Sequence, residues 1–117
     1  MHVPLQITMR HMPQSEALEA RIRQRAAKLD EFHPNVTGCS VTVEEQRRQQ
    51  QQGRWFNVRV AVRVPSHEIV VNRDHDEDPY VALREAFDAA TRRLEEAARI
   101  HRGAVKTHVA AAPGDQS

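Results

Sequence analysis

The chain has 117 residues, of which 39% are hydrophobic and 28% charged, a composition typical of one globular domain. The formal net charge is only +1, and the single cysteine excludes an intrachain disulfide and a zinc site built from several cysteines. There is no run of about 18 apolar residues and no secretory signal pattern, so we expect a cytoplasmic protein that does not bind membranes.

The first half of the chain predicts a strand, a helix and a second strand. Apolar residues alternate over 3–9 and again over 37–45, which is typical of strands with one buried face. Ser15 predicts the N-cap of an amphipathic helix, and Pro34 ends that helix because it disfavours helical geometry at the residue before it. The predicted core positions are Leu18, Ile22, Ala26 and Leu29 on the helix and Cys39, Val41 and Val43 on the second strand.

The second half of the chain predicts two more strands and a long helix. A polar loop over 46–53 leads to a strand over 55–64, and a turn at Pro65 leads to a short strand over 68–72. Asp78 predicts the N-cap of the last helix, Pro79 its first residue and Gly103 its C-terminal stop. The predicted core positions of this helix are Leu83, Phe87, Ala90, Leu94 and Ala97.

The order of these elements predicts an α+β fold of the form β-α-β-β-β-α. The first helix is long enough for a right-handed crossover between parallel strands, and the next two connections are short enough for hairpins. We therefore expect a four-stranded mixed sheet with both helices packed on one face and with Arg59 and Arg63 on the open face. A single domain over 1–108 and a disordered tail over 109–117 complete the prediction.

Catalytic and metal sites are weakly indicated. The chain has no glycine-rich phosphate loop, and Cys39 falls on the apolar face of a strand, where a small buried core residue is the better interpretation. His75, Asp76 and Glu77 are the best metal candidates, but the same residues suit an acidic loop before a helix. We predict no enzyme activity, no cofactor and no small-molecule substrate.

The basic residues are more informative than the net charge. Of the 17 basic residues 15 are arginine, the residue suited to bidentate phosphate contacts, although a GC-rich genome produces the same bias. Arg21, Arg25 and Lys28 form one stripe on the first helix because they are spaced by four and three residues. On the last helix Arg84 and Arg102 share one line, and Arg92 and Arg99 share the neighbouring line.

Stripes beside the buried faces of two neighbouring helices can converge in the groove between them. This arrangement favours a rigid anionic partner such as folded RNA, which is recognised through its backbone and shape. An equally weighted alternative is a pair of solvated helix faces with intrahelical ion pairs, for example Arg84 with Asp88 and Arg92 with Glu96. Trp55 and Phe56 are a weak base-stacking platform because Phe56 faces the predicted core.

Three segments carry a resemblance to a known family. They are PLQIT at 4–8, SEAL at 15–18 and, most specifically, DPYVALREAFD at 78–88. With the order of elements, they resemble the ribosome hibernation promoting factor family, which includes the ribosome-associated inhibitor and was formerly called the sigma-54 modulation or ribosomal S30EA family. The resemblance extends over about 3–108, nearly the whole chain.

The resemblance implies a fold similar to a double-stranded-RNA-binding domain and a non-enzymatic role. Family members bind the small ribosomal subunit and its rRNA in the channel used by mRNA and tRNA, and so idle ribosomes under starvation or stress. The basic positions that match the family's RNA contacts are Arg21, Arg25, Lys28, Arg84, Arg92, Arg93, Arg99 and Arg102 on the helices and Arg59 and Arg63 on the sheet.

The chain departs from the family in three respects. It is less basic than many relatives, its polar loop over 46–54 is longer, and it lacks the C-terminal dimerisation domain of the long members. It therefore resembles a short form, which would need a second factor to pair ribosomes. The alternatives are a general double-stranded-RNA binder, a small metal-dependent protein using His75, Asp76 and Glu77, and an adaptor acting through the open sheet face or an edge strand.

Overall fold

A computed structural model describes residues 4–46, 55–76 and 78–111, without the side chains of 75–76 and 101–111. The elements are β1 (Leu5–Arg10), α1 (Glu16–Phe32), β2 (Gly38–Gln46), β3 (Trp55–Val64), β4 (His67–Asp76) and α2 (Pro79–Ala111). Their order confirms the predicted β-α-β-β-β-α fold. Within the described residues, neither helix combines the length and the apolarity needed to cross a membrane.

The four strands form one mixed sheet in the order β1-β2-β3-β4. Strand β1 pairs in parallel with β2, with Leu5 opposite Cys39, and α1 supplies the crossover between them. Strands β2, β3 and β4 form an antiparallel meander in which Val60 lies opposite both Val41 and Val71. The predicted parallel pair and hairpins are therefore confirmed.

The hydrophobic core lies between one face of the sheet and the two helices. Alternate strand residues such as Val41, Val60 and Val71 pack in one cluster with Ile22 of α1 and Leu83 of α2. Both helices therefore cover the same face, as predicted. All four predicted core residues of α1 are buried, and so are the predicted core residues of α2 except Ala97, which is half-buried. A buried aliphatic side chain of this kind contributes about 1.5–3 kcal/mol.

Both helices begin where the capping residues predict. The hydroxyl of Ser15 accepts a hydrogen bond of 3.2 Å from the backbone N–H of Leu18. The Asp78 carboxylate accepts hydrogen bonds from the backbone N–H groups of Tyr80, at 2.9 Å, and Val81, at 3.3 Å. These bonds satisfy backbone donors that the first turn of a helix leaves without an intrahelical partner.

Two element boundaries differ from the prediction by more than two residues. Strand β4 runs from His67 to Asp76 rather than over 68–72, because its polar ends pair through the backbone along the whole length of β3. Helix α2 continues through Gly103 to Ala111, so Gly103 is not a C-terminal stop. A single glycine inside a helix costs about 1 kcal/mol, which the helix formers around it can offset.

Some predicted segments fall wholly or partly outside the described residues. These are Val3 at the start of the first predicted strand, Glu77, most of the polar loop over 46–54, and 112–117 of the predicted tail, whereas 109–111 belong to α2. The division into a domain over 1–108 and a disordered tail stays a prediction.

Candidate nucleic-acid interface

One flank of α1 is basic. Arg21 and Lys28 are exposed and Arg25 is half-buried, and their spacing places all three on the same side of the helix. Three of the four acidic residues of α1 lie on the opposite flank, where Glu19 pairs with Arg23 at 2.9 Å, while Glu31 borders Lys28 on the outward side. We call Arg21, Arg25 and Lys28 the basic flank.

The basic flank faces α2. The guanidinium carbon of Arg21 lies 5.5 Å from the centre of the Tyr80 ring, within the range of a cation–π interaction. Tyr80 is in the first turn of α2, whose start is fixed by the Asp78 cap. Arg21 therefore links the two helices and is held in a defined position while it stays exposed.

A groove of about 370 Å³ separates the C-terminal half of α1 from the middle of α2. Arg25 and Lys28 form its wall on α1, and the floor includes the buried side chains of Leu29 and Phe87. The remaining lining residues are Phe32 and His33 at the end of α1 and Asp88, Thr91 and Glu95 on α2. The groove is thus basic on one wall and acidic on the other.

The arginines of α2 do not converge in this groove. Arg84 precedes the groove residue Asp88 by four residues, on the side of the helix nearer to Thr91, whereas Arg92 and Arg99 follow Asp88 and Glu95 by four residues and lie further toward the outward side. Arg93 is on the far flank, where its guanidinium donates a hydrogen bond of 2.8 Å to the backbone carbonyl of Val70. None of these four arginines is among the residues that line the groove, and the side chain of Arg102 lies outside the described residues.

The alternative interpretation of the helix arginines as intrahelical ion pairs is not supported. Within the described residues, no ion pair of 4.0 Å or less joins Arg84 to Asp88 or Arg92 to Glu96. The exposed guanidinium groups of Arg84 and Arg92 are therefore available to an external anion.

The two sheet arginines lie on the opposite side of the molecule from the helices. Arg59 is exposed between Thr42 and Asn72, its direct neighbours on β2 and β4. The guanidinium of Arg63 lies 3.9 Å from the Glu68 carboxylate, and both side chains are exposed. These arginines face solvent as predicted, but the thickness of the sheet separates them from the basic flank.

Cys39 is not a reactive thiol. It is buried on the helix-covered face of β2, and this burial raises its pKa from the ordinary value of 9.0 to about 11. At neutral pH the group is a protonated thiol, which is neither a nucleophile nor a metal ligand. The prediction that Cys39 is a core residue is confirmed.

The side chains of the candidate metal ligands His75, Asp76 and Glu77 lie outside the described residues, although the backbone of His75 and Asp76 forms the end of β4. Among the side chains that the structure does describe, no group of three or more His, Cys, Asp or Glu residues could hold a metal ion.

Sequence reasoning missed two features of the groove. One is the acidic wall of Asp88 and Glu95, and the other is Phe32, whose side chain is 67% exposed. The signal for Phe32 was present in the spacing, because it follows Lys28 by four residues and Arg25 by seven on the same line of α1.

The chain is similar to known proteins both in sequence and in fold. The family described as sigma 54 modulation protein / S30EA ribosomal protein matches residues 5–102. A ribosomal subunit interface protein from Coxiella burnetii superposes with a TM-score of 0.70 at 13% identity, covering 83% of this chain and 99% of the other. The N-terminal domain of Thermus thermophilus Protein Y gives a TM-score of 0.60 at 17% identity, covering 82% and 98%. Among curated proteins there is no significant match.

Proposed function

Because the chain belongs to the sigma 54 modulation protein / S30EA ribosomal protein family, we propose that it binds the small ribosomal subunit and idles translation. The family is ribosome-associated, and the fold is shared with a protein described as a ribosomal subunit interface protein. The proposed binding site on the small subunit is the channel that mRNA and tRNA use, as the resemblance to hibernation factors implies. Acting there, the protein would work in the cytoplasm.

The observation that carries this proposal is the basic flank of α1. Its three cations project from a rigid helix whose core face is anchored by Ile22 and Leu29, and they face a neighbouring helix rather than acidic partners on α1. A fixed row of cations suits the phosphates of folded RNA, which is recognised through backbone and shape. Arg84 extends the same surface on α2.

The other basic residues are proposed contacts at further places on the molecule. Arg92, Arg99 and Arg102 would meet RNA on the outward side of α2, and Arg59 and Arg63 would meet it across the open sheet face. Arg93 keeps four N–H donors besides the one given to Val70, so it can bind a phosphate at the β4 edge. A body with cations on several faces suits a channel whose walls are RNA.

The proposed mechanism is occlusion. The arginines neutralise rRNA phosphates and release counterions, which provides affinity that falls steeply with salt. The packed sheet and helices then exclude mRNA and tRNA by their volume. No covalent step is needed.

Co-sedimentation of the full chain with small ribosomal subunits tests this function. We expect stoichiometric binding that mRNA with initiator tRNA displaces, that high salt weakens, and that excess free duplex RNA leaves in place. Free duplex as an equal competitor would indicate a general double-stranded-RNA binder. No binding even at low salt would refute the proposal.

A charge-reversal variant tests the contribution of α2. Arg84→Glu with Arg92→Glu changes two exposed residues without an ion pair in the described structure, so we expect an unchanged fold and loss of subunit binding. Circular dichroism and the melting temperature provide the control for folding. Normal binding by this variant would show that α2 does not face the RNA.

A further inference from the structure

Phe32 is placed unusually for a large apolar side chain. It is the last residue of α1, it is 67% exposed, and it lines the groove between the helices. Arg25 and Lys28 stand beside it on the same line of α1. An exposed aromatic ring next to two cations is the arrangement with which proteins stack unpaired bases of RNA.

The charges of the groove determine which part of a nucleotide can enter it. A phosphate inside the groove would approach the carboxylates of Asp88 and Glu95, which repel it. A neutral base meets no such repulsion, and its amino and imino groups can donate hydrogen bonds to those carboxylates. The phosphates belong on the other wall, where Arg25 and Lys28 are.

The size and floor of the groove suit a planar group. Its volume of about 370 Å³ is within the range of small-molecule sites, and its floor is formed by Leu29 and Phe87. An apolar protein segment fits less well, because it would bury the charged walls without partners.

We propose that an unpaired base of the ribosomal RNA enters the groove between α1 and α2 and stacks on Phe32, with its phosphates on Arg25 and Lys28. This inference rests on the proposed function and adds the part of the RNA that the groove binds. It predicts that single-stranded or bulged RNA, and not a continuous duplex, faces the end of α1.

The test compares three substitutions of one residue, Phe32→Ala, Phe32→Leu and Phe32→Tyr, by equilibrium binding to purified small subunits. We expect Ala to weaken binding about 5- to 150-fold, the range measured when stacking side chains are removed. Tyr keeps the ring and stays within about twofold of the unsubstituted protein, whereas Leu keeps apolar area but loses stacking and behaves like Ala. Melting temperatures should agree among all four proteins because the side chain is exposed.

The outcomes separate this inference from the proposed function. If the unsubstituted protein binds and Phe32→Ala binds equally well, base stacking is refuted while ribosome binding stands. If Phe32→Leu binds normally but Phe32→Ala does not, the groove holds an apolar partner and the inference is wrong. If the unsubstituted protein does not bind subunits, the proposed function fails, and the same variants are compared on a hexanucleotide of adenosine, where equal affinities would refute stacking.

Discussion

Neutralising two residues of the basic flank measures how much of the affinity comes from phosphate contacts. In Arg25→Gln with Lys28→Gln, both charges are lost, while Arg21 keeps its interaction with Tyr80. Neither side chain forms an ion pair within the described residues. We therefore expect the free energy of unfolding to stay within about 0.5 kcal/mol of that of the unsubstituted protein. The matched control is Arg23→Gln, on the opposite flank and paired with Glu19.

The size of the effect follows from counterion release. Each phosphate contact changes the logarithm of the affinity by ~0.9 for a tenfold change in salt. If the electrostatic contribution vanishes at 1 M salt, one contact contributes about eightfold at 0.1 M and about fourfold at 0.2 M. Losing two contacts lowers the affinity roughly 60-fold at 0.1 M and roughly 20-fold at 0.2 M, and reduces the salt slope by ~1.8.

The assay is a salt titration of subunit binding by the three proteins. The double variant should show the weaker affinity together with the shallower slope, and Arg23→Gln should match the unsubstituted protein within about twofold, the scale of an exposed ion pair. An unchanged slope in the double variant, or an equal loss in Arg23→Gln, would refute the assignment of phosphate contacts to the basic flank.

Three more predictions concern single features of the structure. Asp88→Asn with Glu95→Gln removes two charges that repel RNA phosphates but keeps a side-chain oxygen that can accept hydrogen bonds from a base, so it should raise subunit affinity about fivefold, from about 0.5 kcal/mol per charge, whereas weaker binding would contradict this repulsion. Asp78→Ala removes the cap of α2 and should cost about 1 kcal/mol, seen as a melting temperature lower by roughly 4 °C; an unchanged value would contradict the capping role. The pKa of Cys39 is raised from 9.0 to about 11 in the folded protein, so the unfolded chain loses this proton first and stability falls as pH rises from 9 to 11, by roughly 3 kcal/mol. Urea unfolding over this pH range should show that loss in the unsubstituted protein but not in Cys39→Ala, and identical pH profiles would contradict it.

Local signals in the sequence were sufficient for most of the fold. Ser15 and Asp78 marked the helix starts because a side-chain acceptor is needed there, and the alternation around Val41 and Val60 marked the buried sheet face. The ends of β4 and α2 were not predictable in this way. The polar end of β4 is held by backbone pairing with β3, which composition does not reveal, and Gly103 is compatible with a helix as well as with its end.

The site was harder to predict than the fold because it depends on which sides of two helices meet. The spacing of Arg21, Arg25 and Lys28 predicts one stripe, and the structure has it. The same reasoning could not place Arg93, because its carbonyl partner is on a strand 23 residues away. It also could not show that Asp88 and Glu95 of α2 line the groove, because this depends on the rotation of α2 about its axis.

The parallel pairing of β1 with β2 has a consequence for the order in which the chain folds. Leu5 pairs with Cys39, 34 positions away (39 minus 5), whereas the β2–β3 hairpin closes at Gln46 and Trp55, nine positions apart (55 minus 46). Closing the loop between β1 and β2 therefore costs about 1.2 kcal/mol more free energy, from lost chain entropy, than closing the β2–β3 hairpin. The meander and α2, whose contacts join neighbouring elements, can therefore form a nucleus first, and β1 with α1 docks afterwards. We therefore expect the helix that carries the basic flank to assemble last and to open first, which hydrogen exchange of its backbone amides would show as weaker protection than in the meander.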